Sequence, residues 1–268
     1  MTMLSEVRTA LSQVLGASSV LRRAAGRGRL FELFILTGIA TRLRNHGCDV
    51  WLQRSDGSRI YSGDSDRRFV QRGGAPSGMP SAAQGTVNAS VIAFRTASGS
   101  QWEIWNGIQF QGRSGATHEI DIAVVPAQIG NDLRTSGGGV PFGRPRVAIE
   151  CKDVGTAGTV DEMRALVARL YDLTILQGHQ PHFNFNPPYQ AIYPGNLGGH
   201  SFHSSRFRYW DENRHTMNAL ARRAGFSAGS VALTSYYAIE PHGRIRVGSS
   251  ETDALLDAVR DWIVSRCP

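Results

Sequence analysis

From about residue 89 onward the chain holds four segments, VNASVIAFRT, WEIWNGIQF, HEIDIAVVP and RPRVAIECK, rich in β-branched and aromatic side chains. Glycine-bearing turns separate them, and a Gly/Pro-rich loop, GNDLRTSGGGVPFGRP, divides the last two. Such side chains fit a pleated, half-buried surface, so the middle of the chain is committed to a sheet.

Helical periodicity flanks that sheet. Residues 4–24 and 29–46 read as two helices, the second carrying Leu30, Phe31, Leu33, Phe34, Ile35, Ile39 and Leu43 and stopping at Gly47. Residues 48–62 read as a hairpin turning at Asp56-Gly57, and 73–87 as a loop. A helix over 159–177, short strands near 189–193, 230–239 and 243–248, a helix over 211–224 and a closing helix over 251–265 complete the pattern. The order of helix, three strands, helix and strand predicts a mixed α/β sandwich.

A chain of 268 residues that is 41% hydrophobic can bury a core as one domain, which excludes global disorder. The longest apolar run, residues 30–40, is too short and too interrupted for a membrane span. The opening residues show no charged-then-apolar leader, so no secretory signal is expected. Cys48, Cys151 and Cys267 are few, distant and odd in number, which predicts no disulfide framework and a reducing, cytoplasmic setting. The net charge of +7 favours a polyanionic partner, nucleic acid first.

The cations are more telling one by one. Of 29, 28 are arginine, and the single lysine is Lys152. Arginine keeps its proton under ordinary conditions, whereas a lysine can be tuned by burial and by its neighbours. Strand alternation puts Glu119 and Asp121 on one face of HEIDIAVV, with Ile120, Ile122 and Val124 on the other. In RVAIECK it puts Glu150 with Lys152, opposite Val147, Ile149 and Cys151. If the two strands are neighbours, three carboxylates and the sole lysine converge. With nine glutamates in the chain, a lone lysine has only about a 3% chance of a glutamate two residues before it. Hard divalent cations take one or two carboxylates plus water and substrate phosphate, and a lysine beside them can orient an attacking water. The set therefore suits phosphodiester cleavage.

At Asp121 and at Glu150-Cys151-Lys152 the sequence resembles the PD-(D/E)xK nuclease superfamily, the restriction-endonuclease-like fold. The resemblance covers roughly residues 30–193 and implies one nuclease-like domain over 1–268, with N- and C-terminal elaborations, residues 194–268 forming the latter. It implies a Mg²⁺-dependent DNA endonuclease, with Mn²⁺ able to substitute. The metal would be held by Asp121, Glu150 and the backbone carbonyl of Cys151, with Glu32 of the first core helix as an added ligand. Lys152 would handle the attacking water and Glu119 would assist. Hydrolysis would leave a 5′-phosphate and a 3′-hydroxyl, in bacterial defence against foreign DNA, as a homo-oligomer or with a defence-system partner.

Arg164 and Arg169, on the helix after the ExK element, could reach the substrate phosphate. Arg206 and Arg208 stand among aromatics in HSFHSSRFRYWDENRH, a composition suited to nucleic-acid contact. Two rival readings stay open: a catalytically silent nucleic-acid-binding or assembly module of this fold, and a nuclease acting on RNA or structured junctions. A surface ion pair of Glu150 with Lys152 is the structural alternative.

Overall fold

The four β-rich segments pair side by side in the computed structural model, which describes residues 2–22, 27–71, 90–112, 114–135, 137–141, 145–173, 216–236 and 239–267. The amino-terminal part holds α1 (Met3–Gln13), β1 (Ser19–Arg22), α2 (Arg27–Asn45), β2 (Asp49–Arg54) and β3 (Arg68–Gln71). The middle holds β4 (Ser90–Arg95), β5 (Gln101–Gln111), β6 (Thr117–Pro126), α3 (Ala127–Thr135), β7 (Val147–Lys152) and α4 (Val160–Asp172). Then come β8 (Met217–Arg222), α5 (Ala228–Tyr236), β9 (Ile239–Arg244) and α6 (Ser250–Arg266).

The architecture is α/β. Seven strands form one mixed sheet in the order β2-β4-β5-β6-β7-β8-β9, and β1 pairs in parallel with β3 beside it. Neighbours from β2 to β7 are antiparallel, while β7, β8 and β9 run parallel. Helices cover both faces. On one, Ile35, Ile39 and Leu43 of α2 and Leu255, Val259 and Ile263 of α6 share a core with Ile104, Ile122, Val124 and Ile149. On the other, Ile129 and Leu133 of α3 and Met163, Leu166 and Leu170 of α4 pack with Trp105, Phe110, Ala123 and Ala148. Among the described residues no helix is long and apolar enough to cross a membrane.

Several expectations need correction. The first helix ends at Gln13, because the chain turns at Gly16, in the left-handed region at φ +65°, and enters β1. Residues 217–222 form β8 rather than a helix. MNALAR has helix-forming composition, but every residue is buried against β7 and β9, and that context wins. SVALTSYY reads as strand, yet Ala228–Tyr236 is helical and β9 follows it, earlier than the strand expected at 243–248. Part of the expected Gly/Pro loop is α3, which Ile129 and Leu133 anchor one turn apart. The expected loop at 73–87 and strand at 189–193 lie outside the described residues.

The glycine in α3 has a packing reason. Gly130 lies against the carboxyl of Glu103, leaving no room for a β-carbon. Glu103, 1% exposed, accepts from Trp105 Nε1 at 2.8 Å and Gln53 Nε2 at 3.0 Å, and meets Arg134 Nη2 at 2.7 Å. The pair ties α3 to the sheet and belongs to the fold.

Alternation slips in the middle of β5, and the slip positions the site. Trp102 and Ile104 face one core and Trp105 the other, as the period of two requires. Ile108 and Phe110 nevertheless join Trp105. The break falls at Gly107, whose φ of +60° a side chain would strain. Across the ladder the same happens in β6: Ile122 and Val124 face the first core but Ile120 faces the second. Ile120, Ile122 and Val124 thus do not share a face, contrary to simple alternation, and Asp121 sits at the crossing.

His242 of β9 has a buried Nε2 without a hydrogen-bond partner among the described residues, and burial lowers its pKa to about 4. The folded form therefore disfavours the imidazolium. Stability should be intact above the ordinary histidine value of about 6.5 and decline as pH falls from there toward about 4. Thermal midpoints of wild type and His242→Gln across that window test this: the wild-type curve should fall more steeply, and parallel curves would refute it.

Candidate active site

The β6–β7 ladder runs from Val124↔Val147 to Ile122↔Ile149 and goes no further. Beyond its end the amide of Cys151 donates to Asp121 Oδ2 at 2.7 Å, so a side chain takes over where backbone pairing stops. That bond brings Asp121 beside the carboxyl end of β7, where Glu150 and Lys152 project on the α4 side of the sheet. Of the four side chains expected to converge, Asp121, Glu150 and Lys152 meet here, and Glu119 does not.

Glu150 is 3% exposed. Its Oε1 accepts from Lys152 Nζ at 2.5 Å and from Arg169 Nη2 of α4 at 2.9 Å. Its Oε2 is buried with no hydrogen-bond partner among the described residues. Lys152 and Glu150 are therefore paired, but the pair is buried at its acidic end and is no surface salt bridge. The sequence reading offered Arg169 as a phosphate contact; here it is spent on Glu150.

The α2 side supplies a second arm. Glu32 Oε2 accepts from Arg29 Nη1 at 2.9 Å and from Asn106 Nδ2 at 2.9 Å. Asn106 Nδ2 also donates to the backbone carbonyl of Asp121 at 3.1 Å. Asn106 precedes the left-handed Gly107, so the slip in β5 aims its amide between Glu32 and Asp121. Sequence reasoning passed over Asn106, an uncharged residue inside a strand segment, and over Arg29, a cation at a helix start.

The electrostatics follow from this crowding. Burial, then the negative charge of Glu150, pushes the Asp121 carboxyl well above the usual carboxylate range, against the bond from Cys151. For Lys152, burial works to lower the pKa, but the charge of Glu150 and its hydrogen bond outweigh it and the ammonium is held more firmly. The Cys151 thiol is pushed well up by burial, then by Asp121, and its side chain belongs to the core on the α2 face. Arg29, Lys152 and Arg169 stand against Glu32, Asp121 and Glu150, three charges of each sign.

The other candidates among the described residues are peripheral. Glu119 is 43% exposed and lies 3.9 Å from Arg29 Nη2, at the rim. Arg164 is exposed on α4 and pairs with Asp161. Arg206 and Arg208 lie outside the described residues. His118, on β6, meets Asp172 Oδ2 at 2.6 Å, and Ser114 Oγ reaches the same oxygen at 2.6 Å. This fastens the β5–β6 turn to the end of α4.

Among the described residues no three His, Cys, Asp or Glu side chains form a ready metal-binding group. Two carboxylates suffice for a hard cation that keeps its waters and takes substrate oxygens. Asp121, and the orphaned Oε2 of Glu150, are oxygen donors of that kind, so the residues fit such an ion. Glu32, committed to Arg29 and Asn106, fits the role of a ligand less well than that of an anchor for Asp121. Comparison with family models, curated proteins and solved structures finds no match to this chain.

A cluster that buries Asp121 beside Glu150 is strained electrostatically when no cation is bound. Asp121→Asn, which keeps an acceptor for the Cys151 amide, should raise the thermal midpoint in EDTA by about 2–4 °C, the scale of about 1 kcal/mol in a chain this size. A lower midpoint for the variant would show that the charge stabilises the fold.

Proposed function

We propose that the chain is a Mg²⁺-dependent DNA endonuclease, with Mn²⁺ able to substitute, acting in the cytoplasm in defence against foreign DNA. The observation that carries this reading is the meeting of Asp121 and Glu150 from adjacent strands, with one carboxylate oxygen of Glu150 buried and unpartnered among the described residues and the chain's only lysine two residues on.

In this reading Asp121 and Glu150, with the carbonyl of Cys151, hold the cation, which when bound supplies Lewis-acid stabilisation of charge on the phosphate. Lys152 donates an N–H to the attacking water and orients it toward phosphorus, while its positive charge offsets the charge that builds on the phosphoryl oxygens. The water oxygen forms a bond to phosphorus and the bond from phosphorus to the 3′-oxygen breaks. The water's proton ends on the leaving oxygen, giving a 5′-phosphate and a 3′-hydroxyl. Arg169 fixes the Glu150 carboxylate from the helix side, and Asn106 and Glu32 fix the Asp121 backbone from the other. Glu119, at the rim, is placed to hold water or a neighbouring arginine.

One observation favours a second reading. Lys152 and Arg169 both bond Glu150 Oε1, and a carboxylate neutralised by two cations is what a catalytically silent module of this fold would carry.

Incubation with plasmid, linear DNA and RNA separates the readings. Cleavage of DNA should require Mg²⁺ or Mn²⁺ and stop in EDTA; cutting that survives exhaustive chelation sinks the metal-dependent mechanism, and RNA cut in preference to DNA reassigns the substrate.

The lone lysine gives the sharper test. Lys152→Arg keeps the charge but is bulkier and planar, so the initial cleavage rate should fall about 100-fold or more with little change in thermal midpoint. An arginine variant with wild-type rates would mean that Lys152 serves only as an ion-pair partner of Glu150.

A further inference from the structure

Strands β7, β8 and β9 run parallel, so all three end on one side of the sheet, the side where open α/β sheets bind ligands. Their register puts three cations in a row: Lys152 pairs with Arg222, and Arg222 with Arg244. The middle one is used up by the fold. Arg222 is 1% exposed, donates to the carbonyls of Gly225 and Thr156, pairs with Glu162 and lies over the ring of Phe226.

Arg244 and the nearby Arg246 differ from it. Both are exposed, and among the described residues no carboxylate pairs with either side chain. Arg223, between them and Lys152, is balanced by Asp153 at 2.9 Å. The acids nearest along the chain are Glu240 of β9 and Glu251 of α6, the latter with its Cγ 3.0 Å from where a β-carbon of Gly243 would stand. The backbone that carries the two arginines is held in place: Ser249 Oγ donates to the Arg244 carbonyl at 3.1 Å, and Thr252 Oγ1 to the Arg246 carbonyl at 2.8 Å. Two guanidinium forks on a fixed segment, with no carboxylate partner among the described residues, are suited to take phosphate oxygens.

We propose that Arg244 and Arg246 bind the phosphate backbone of the duplex whose cleaved bond lies at Asp121 and Glu150; this rests on the nuclease reading. Two strand spacings of about 4.8 Å separate β7 from β9, or about 10 Å. The duplex then crosses the carboxyl ends of the parallel strands, and the arginines take phosphates close to the cut.

The test is binding of a fluorescein-labelled 20-base-pair duplex in EDTA, followed by anisotropy over a range of salt concentrations. Arg244→Ala/Arg246→Ala should weaken binding about 10-fold and reduce the slope of log K against log salt by about 1.8, two phosphates' worth. Arg8→Ala/Arg266→Ala, which removes two exposed arginines elsewhere, should change the slope by much less. Lysines at 244 and 246 should restore most of the slope. A double alanine variant with the wild-type slope, or an equal loss in the control, overturns the proposal; if that variant still cuts DNA, the nuclease reading stands without it. A wild type that binds with the steeper slope but never cuts in Mg²⁺ or Mn²⁺ supports the surface and removes the nuclease reading instead.

Discussion

A carboxylate oxygen of Asp121 receives the amide of Cys151 where the β6–β7 ladder gives out. The bond does two jobs. It satisfies a backbone donor that the separating strands would leave unpaired, and it locks a half-buried acid next to the buried Glu150. Like charges so placed repel strongly in a medium of low dielectric constant. The surroundings answer with cations from two directions: Arg169 and Lys152 on Glu150 from the α4 face, and Arg29 on Glu32 from the α2 face. Two helices on opposite faces are thereby made to agree on the position of one strand end.

Gly107 makes that agreement sterically feasible. Its left-handed backbone turns the tail of β5 over, so that Asn106 looks toward α2 while Ile108 and Phe110 look toward α4. β6 follows the same change of face. A regular pleat would send Asp121 firmly to one side; at the crossing it meets residues from both.

The central strands, α2, α6 and the Asp121, Glu150 and Lys152 set were legible because each rests on a short-range period. Alternation by two places Glu150 with Lys152, and the apolar stripe marks the helices. What escaped were places where tertiary context overrides local preference. MNALAR is buried on both faces of a parallel sheet, so it has no alternation and only its helix-prone composition to read. SVALTSY has strand-prone composition yet is helical. Gly130 looks like a helix breaker until Glu103 is seen filling the space where its side chain would be. Asn106 could have been found only by knowing that β5 breaks step, a fact carried by one glycine among 30.

The sheet is also uneven in how far along the chain its partners lie. β4, β5 and β6 follow one another as hairpins, whereas β7 must wait for β8 across the residues between Lys152 and Met217. Hairpins of low sequence separation close early, and long-range parallel pairs close late. During synthesis the sheet therefore exists for a time with β7 as its open border. An unpaired strand border invites association with other chains unless charge interrupts it. Glu150 and Lys152 lie on that border. The side chains proposed for chemistry thus also put charge on the bare edge of the half-made sheet, where a wholly hydrophobic strand would invite association.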